Sequence, residues 1–136
     1  MRKITVWSDG GARGNPGPAA IGVVIKEDET VLEEISETIG EGTNNIAEYT
    51  AVLRGLQVLR LRLGAETKEL EVEWKLDSEL VERQLAGVYK IKNPGLRDLY
   101  LQIQDLRAHF PHLTFIHVRR EFNKDADRLV NEALDQ

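Results

Sequence analysis

The sequence predicts an α/β domain built on a five-stranded mixed sheet, antiparallel where the chain begins and parallel where it ends, with helices packed on it. Three observations predict it. Residues 3–39 hold three apolar, β-branched runs separated by turn residues, which read as a meander. Residues 42–63 and 94–110 carry apolar side chains at helical spacing. Residues 70–76 and 113–118 are strand-like runs reached only through helical segments, so each enters the sheet by a right-handed crossover and lies parallel to a neighbour.

The elements follow in the order βββαβααβα. Residues 3–9 are apolar or β-branched on both parities from Ile4 to Trp7, as suits a central strand. The segment GGARGNPGP then reads as a loop, because glycine and proline interrupt regular structure. Strands 19–27 and 30–39 form a hairpin with a tight turn at Asp28–Glu29. Gly42-Thr43-Asn44-Asn45 signals a helix start, and the helix runs to about Leu63, with Gly64 as its stop. Leu70, Val72, Trp74 and Leu76 share one face of a strand, opposite Glu71, Glu73 and Lys75. Ser78 caps a helix over about 79–86. Asn93-Pro94 opens another, with Leu96, Leu99, Ile103, Leu106 and Phe110 as its buried stripe. Leu113–Val118 is the last strand, and Asn123 is expected to cap a final helix that buries Ala126, Leu129, Val130 and Ala133.

With 136 residues the chain is long enough for one domain, spanning 1–136, and too short for two ordinary ones. A chain of this size buries on the order of two thirds of its unfolded surface. The strand start at residue 3 and the helix near the C-terminus lead us to expect a complete domain. The absence of cysteine removes disulfides and thiolate metal sites. No apolar run approaches a membrane span, and the N-terminus lacks a secretory h-region, so a cytoplasmic monomer without membrane contact is expected. The net charge of −5 disfavours a passive nucleic-acid coat protein, which would be basic. It leaves room for a nuclease whose carboxylates are neutralised by cations.

Four acidic residues stand in settings unusual for surface carboxylates. Asp9 ends an apolar strand where two glycines begin, and the ends of α/β strands are where such sheets hold ligands. An Asp-Gly turn is the plain alternative. Glu48 lies in the first turns of the long helix beside its apolar stripe, where the helix dipole alone also suits an acid. Asp77 precedes Ser78 at a strand-to-helix junction; since Ser78 can cap, Asp77 is free for another duty. Asp127 borders the apolar face of the last helix, with Asp125 an equal competitor on spacing. Convergence of four such groups is costly: two unit charges ~4 Å apart at an effective dielectric near 20 repel by about 4 kcal/mol. A fold that gathers them needs cations, and all-oxygen ligation suits Mg2+ or Mn2+.

The strings DGGARGNPGPAAIG, TNNIAEYTAVLRGL, LDSELV and ADRLVNEAL, in this order and over nearly the whole chain, resemble type 1 ribonuclease H in its short form without a basic protrusion. The resemblance implies a ribonuclease H-like fold. It implies an endoribonuclease that hydrolyses the RNA strand of RNA–DNA hybrids with two Mg2+ ions per site, Mn2+ substituting, and leaves 3′-hydroxyl and 5′-phosphate ends. It implies that Asp9, Glu48, Asp77 and Asp127, rather than Asp125, are the catalytic and metal-binding carboxylates. It further places Gly10, Gly11, Asn44 and Asn45 along the hybrid's minor groove, where 2′-hydroxyls distinguish RNA from DNA. Asn15 and Thr43 then form a phosphate pocket for the DNA strand.

Three departures from that family are visible. Gly87–Asn93 is all that separates two helices where many members carry a basic protrusion, leaving Tyr89, Lys90 and Lys92 to make that contact or to form a solvated loop. The loop before the last helix has no histidine; His117 falls within the strand and reads as structural, and Arg119, Arg120 or Glu121 are the available substitutes. Position 79, often glutamine in the family, is Glu79. The competing functional readings are a non-catalytic hybrid- or RNA-binding module and a DNA resolvase of the same fold. The intact acidic set opposes the first, and the Gly10-Gly11 and Asn44-Asn45 settings oppose the second.

Overall fold

The computed structural model describes residues 1–136. The chain folds as β1 (Arg2–Ala12), β2 (Gly17–Glu27), β3 (Thr30–Gly42), α1 (Asn44–Leu63), β4 (Leu70–Leu76), α2 (Glu79–Leu85), α3 (Pro94–Arg107), β5 (Leu113–His117) and α4 (Lys124–Leu134), in the predicted order. Short 3-10 turns cover Gly64–Glu69 and Arg120–Phe122. The sheet order is β3-β2-β1-β4-β5, antiparallel through β1–β2–β3 and parallel through β1–β4–β5. No helix is long and apolar enough to cross a membrane.

Alternation along β1 assigns the two faces. A side chain at Gly10 would run into the backbone of Ala47 in α1, whereas one at Gly11 would point to Val130 in α4. Helix α1 therefore covers one face of the sheet and α4 the other. The main core lies on the α1 face and includes Ile4, Val6, Val23, Leu56, Val72 and Trp74, all essentially inaccessible. A small second cluster, Ala20, Val130 and Ala133, fills the space beneath α4. Gly22 lets α4 approach, since a Cβ there would stand 2.1 Å from the Ala126 carbonyl oxygen.

Three expectations need correction. The segment after Asp9 is not all loop: Gly10, Gly11 and Ala12 continue β1 and pair with Ile21, Ala20 and Ala19. Gly10 serves close approach rather than chain reversal, and only residues 13–16 lie outside the hairpin arms. β3 correspondingly extends past residue 39 to pair Gly42 with Gly17. Asn123 stands before α4 yet makes no side-chain capping bond there. Its amide turns inward instead, and Nδ2 donates to the Ser8 carbonyl oxygen at 2.9 Å.

Candidate active site

β1 and β4 run parallel with Ser8 opposite Leu76, so Asp9 and Asp77 leave the same end of adjacent strands. Glu48 reaches them from the first turns of α1. That helix starts where Thr43 Oγ1 accepts from the Ile46 N–H at 3.1 Å, an N-cap that fixes its direction. The absent side chain at Gly10 lets the first turns lie directly on β1. The Gly10 N–H then donates to Glu48 Oε1 at 3.3 Å. Ligand oxygens of Asp9, Glu48 and Asp77 all lie within 4.8 Å of one another. Asp127, half-buried on the first turns of α4, comes from the opposite side of the sheet and lines the same cleft as Asp9.

The electrostatics record the cost of this convergence. Burial, reinforced by Asp77 and Asp127, pushes the Asp9 carboxyl up to about 7. Burial and the neighbouring Asp9 drive Glu48 well above the ordinary carboxylate range. Burial also raises Asp77, opposed by the positive charge of Arg120 and by the Asn123 side chain. Glu48 Oε2 is buried and has no hydrogen-bond partner. An orphaned carboxylate oxygen inside an all-oxygen donor set fits a hard divalent cation, which would supply the missing positive charge.

The carboxylates open into a cleft of about 410 Å³ lined also by Gly10, Gly11, Asn44, Asn45, Ser78 and Arg120. The Ala12 N–H donates to Asn44 Oδ1 at 2.9 Å, so the Asn44 side-chain NH2 remains for a ligand. Asn15 and Thr43 stand behind this wall rather than in it. Asn15 Oδ1 accepts from the Asn44 N–H at 3.0 Å and Thr43 caps α1. Asp125 is separated from the cluster: it is exposed and borders a different depression with Trp7, Lys26 and Phe122. His117 ends β5, where it pairs with Leu76; its side chain is exposed and does not line the cleft. Arg119 and Glu121 are also outside the cleft wall; of the three substitutes, only Arg120 lines it. Glu79 is exposed at the start of α2. Tyr89 and Lys90 are exposed and frame a second cleft of about 360 Å³ with Arg97 and Tyr100. Lys92, also exposed, lies outside it.

Sequence reasoning missed Arg13 and Asn131, which complete the cleft wall. Arg13 reaches across 122 residues to pair with Asp135, a link no local pattern announces. The signal for Asn131 is its position four residues after Asp127 on one helix face: its Nδ2 donates to Asp127 Oδ2 at 3.4 Å.

Residues 7–133 match the family described as "Reverse transcriptase-like". A bifunctional protein of Mycobacterium tuberculosis is 42% identical over 135 residues, which cover 98% of this chain and 36% of that protein. Ribonuclease HI of Halobacterium salinarum is 39% identical over 134 residues, covering 98% of this chain and 65% of that one. The chain thus spans between about a third and two thirds of the length of these relatives. Among solved structures, LC11-RNase H1, isolated from compost by a metagenomic approach, superposes with a TM-score of 0.93 at 50% identity, over 99% of this chain and 97% of that one. The same protein has been solved in complex with an RNA/DNA hybrid. The match over almost the whole chain, the sheet order and the gathered carboxylates agree, and the chain belongs to the type 1 ribonuclease H family.

Proposed function

We infer that this protein hydrolyses the RNA strand of RNA–DNA hybrids in a reaction that depends on Mg2+ or Mn2+ and leaves 3′-hydroxyl and 5′-phosphate ends. The observation that carries this reading is the meeting of Asp9, Glu48 and Asp77 within 4.8 Å at the floor of an open cleft. The complex of LC11-RNase H1 with an RNA/DNA hybrid supports the choice of substrate.

Asp9 occupies the middle of the acidic set, interacting with Glu48, Asp77 and Asp127, and would contribute to holding both of two cations. Glu48 and Asp77 would complete one side and Asp127 the other. Two bound cations supply activation of a water and stabilisation of the leaving oxygen in an in-line displacement. The residues of the chain do the rest. The Gly10 N–H fixes the Glu48 carboxylate by donating to Oε1. Arg120 brings a positive charge to the same cleft, where a phosphate would sit. Asn44 and Asn45 line the wall beside Gly10 and Gly11, so side-chain amides and backbone groups face the route of a minor groove. Asn15 acts through the Asn44 N–H, making its role in phosphate binding one of support. Tyr89 and Lys90 extend the contact along the DNA strand.

The test is a panel of end-labelled substrates (hybrid, double-stranded DNA and double-stranded RNA) incubated with Mg2+, Mn2+ or chelator. Cleavage confined to the RNA strand of the hybrid, and abolished by chelator, is expected. Equal cleavage of DNA would identify a resolvase-like enzyme instead. Tight hybrid binding without cleavage in either metal would identify a non-catalytic module.

A further inference from the structure

Asn123 is 1% exposed and sits where three chain segments that carry the acidic residues meet. Its Nδ2 donates to the carbonyl oxygen of Ser8, the residue before Asp9, at 2.9 Å and across 115 positions of sequence. Its own carbonyl oxygen accepts from the backbone N–H of Asp127 at 3.1 Å. Ser8 is opposite Leu76 in the β1–β4 register, so the amide grips β1 level with the residue that precedes Asp77 on the adjacent strand. Asn123 Oδ1 is buried without a partner. A capping asparagine accepts from the first N–H groups of its own helix; Asn123 makes no such bond, and its acceptor stays unsatisfied while its donor is committed to β1.

We propose that Asn123 is a positioning residue for the cation site: a buried amide that ties the end of β1, where it lies beside β4, to the first turn of α4, so that Asp127 is held facing Asp9 and Asp77. This rests on the proposed nuclease reading for its consequence in turnover, while its effect on cation binding is independent of that reading. The amide is needed as a donor. An aspartate in its place keeps the shape but presents oxygen to the Ser8 carbonyl oxygen, and adds a fifth negative charge beside the cluster. The side chains that hold a cation are usually oriented by such outer partners, whose loss lowers metal affinity or activity about 10- to 100-fold.

The experiment compares the wild-type chain with Asn123→Ala and Asn123→Asp. Mn2+ binding is measured by calorimetry without substrate. Hybrid cleavage is measured as kcat and KM across a Mg2+ titration, and folding by circular dichroism. Both variants are expected to stay folded, to bind Mn2+ about 10-fold or more weakly, and to lose kcat by about 10- to 100-fold with KM for the hybrid within about twofold. Asn123→Asp should be no better than Asn123→Ala despite its matching shape. Wild-type Mn2+ affinity in either variant overturns the proposal, because a packing role would leave the cation site intact. So does rescue by Asp, or failure of both variants to fold, which would assign Asn123 to stability alone. Should the wild-type chain cleave no hybrid, the proposed function fails, and the calorimetric arm still decides the role of Asn123.

Discussion

The backbone N–H of Gly10 and the side chain of Glu48 meet at 3.3 Å, and only a glycine permits it. A Cβ at position 10 would stand 2.3 Å from the Ala47 carbonyl carbon and 2.5 Å from the Glu48 nitrogen, both rigid backbone atoms of α1. Gly10→Ala should therefore push α1 off β1, cost about 1–3 kcal/mol, and remove most hybrid cleavage. At Gly11 the nearest atom to a Cβ is Val130 Cγ1 at 3.6 Å, an ordinary contact. Gly11→Ala should melt within a few degrees of the wild type and reveal only what the substrate requires of that position. Chemical denaturation of the two variants side by side checks the contrast; equal stability would show that α1 has freedom to yield.

The acidic cluster opposes folding when no cation is present. Asp9 is raised from an ordinary carboxylate value to about 7 in the folded chain. A carboxyl raised in this way favours the fold fully below its unfolded value near 4, and that contribution is lost as pH rises through about 7. Asp9→Asn removes this contribution and leaves those of Glu48 and Asp77. In chelator, the melting temperature of Asp9→Asn should exceed that of the wild type, with a gap that widens from pH 4 to pH 8. The gap should reflect on the order of 2–4 kcal/mol and close when Mg2+ or Mn2+ is added to the wild type. Asp127→Asn should give a smaller rise, because Asp127 is only half-buried. A fall in melting temperature for Asp9→Asn at neutral pH would mean that its side chain is structural.

Beneath the site, Trp74 Nε1 donates to Ser8 Oγ at 2.9 Å, and both residues are fully buried. Ser8→Ala leaves the indole N–H without an acceptor. The expected cost is about 1–3 kcal/mol, read as a lower denaturation midpoint with unchanged slope. An unchanged midpoint would show that another acceptor moves in.

Away from the carboxylates, Tyr89 and Lys90 are exposed at the edge of the second cleft, where the proposed function has them meet the DNA strand. Tyr89→Ala combined with Lys90→Glu should raise KM for the hybrid several-fold, leave kcat within about twofold, and flatten the salt dependence of binding by about one phosphate contact. Unchanged KM at low salt would place the DNA strand elsewhere.

Much of this was legible in the residues themselves. The alternation of Leu70, Val72, Trp74 and Leu76 gave the strand and its buried face, and the Thr43-Asn44-Asn45 signal gave the start of α1. Asp9 and Asp77 were found because apolar strands lead directly into them. What stayed hidden depends on tertiary contact. Glycine marks permissiveness without saying why it is needed, so Gly10–Ala12 read as loop, whereas all three pair with β2 and Gly10 lies against the backbone of α1. Asn123 has the chemistry of a cap, and nothing local reveals that its partner is Ser8. Asp125 and Asp127 share one helical turn. Only the packing of α4 on β1 sends Asp127 to Asp9 and Asp125 to the solvent beside Trp7.

The central claim, that separated carboxylates jointly hold divalent cations, is tested most directly by anomalous diffraction from crystals of the protein soaked in Mn2+. A strong peak is expected between Asp9, Glu48 and Asp77, and it should disappear in Asp9→Asn crystals. A map with no peak among these side chains, or with its only peaks at other surface acids, would contradict it.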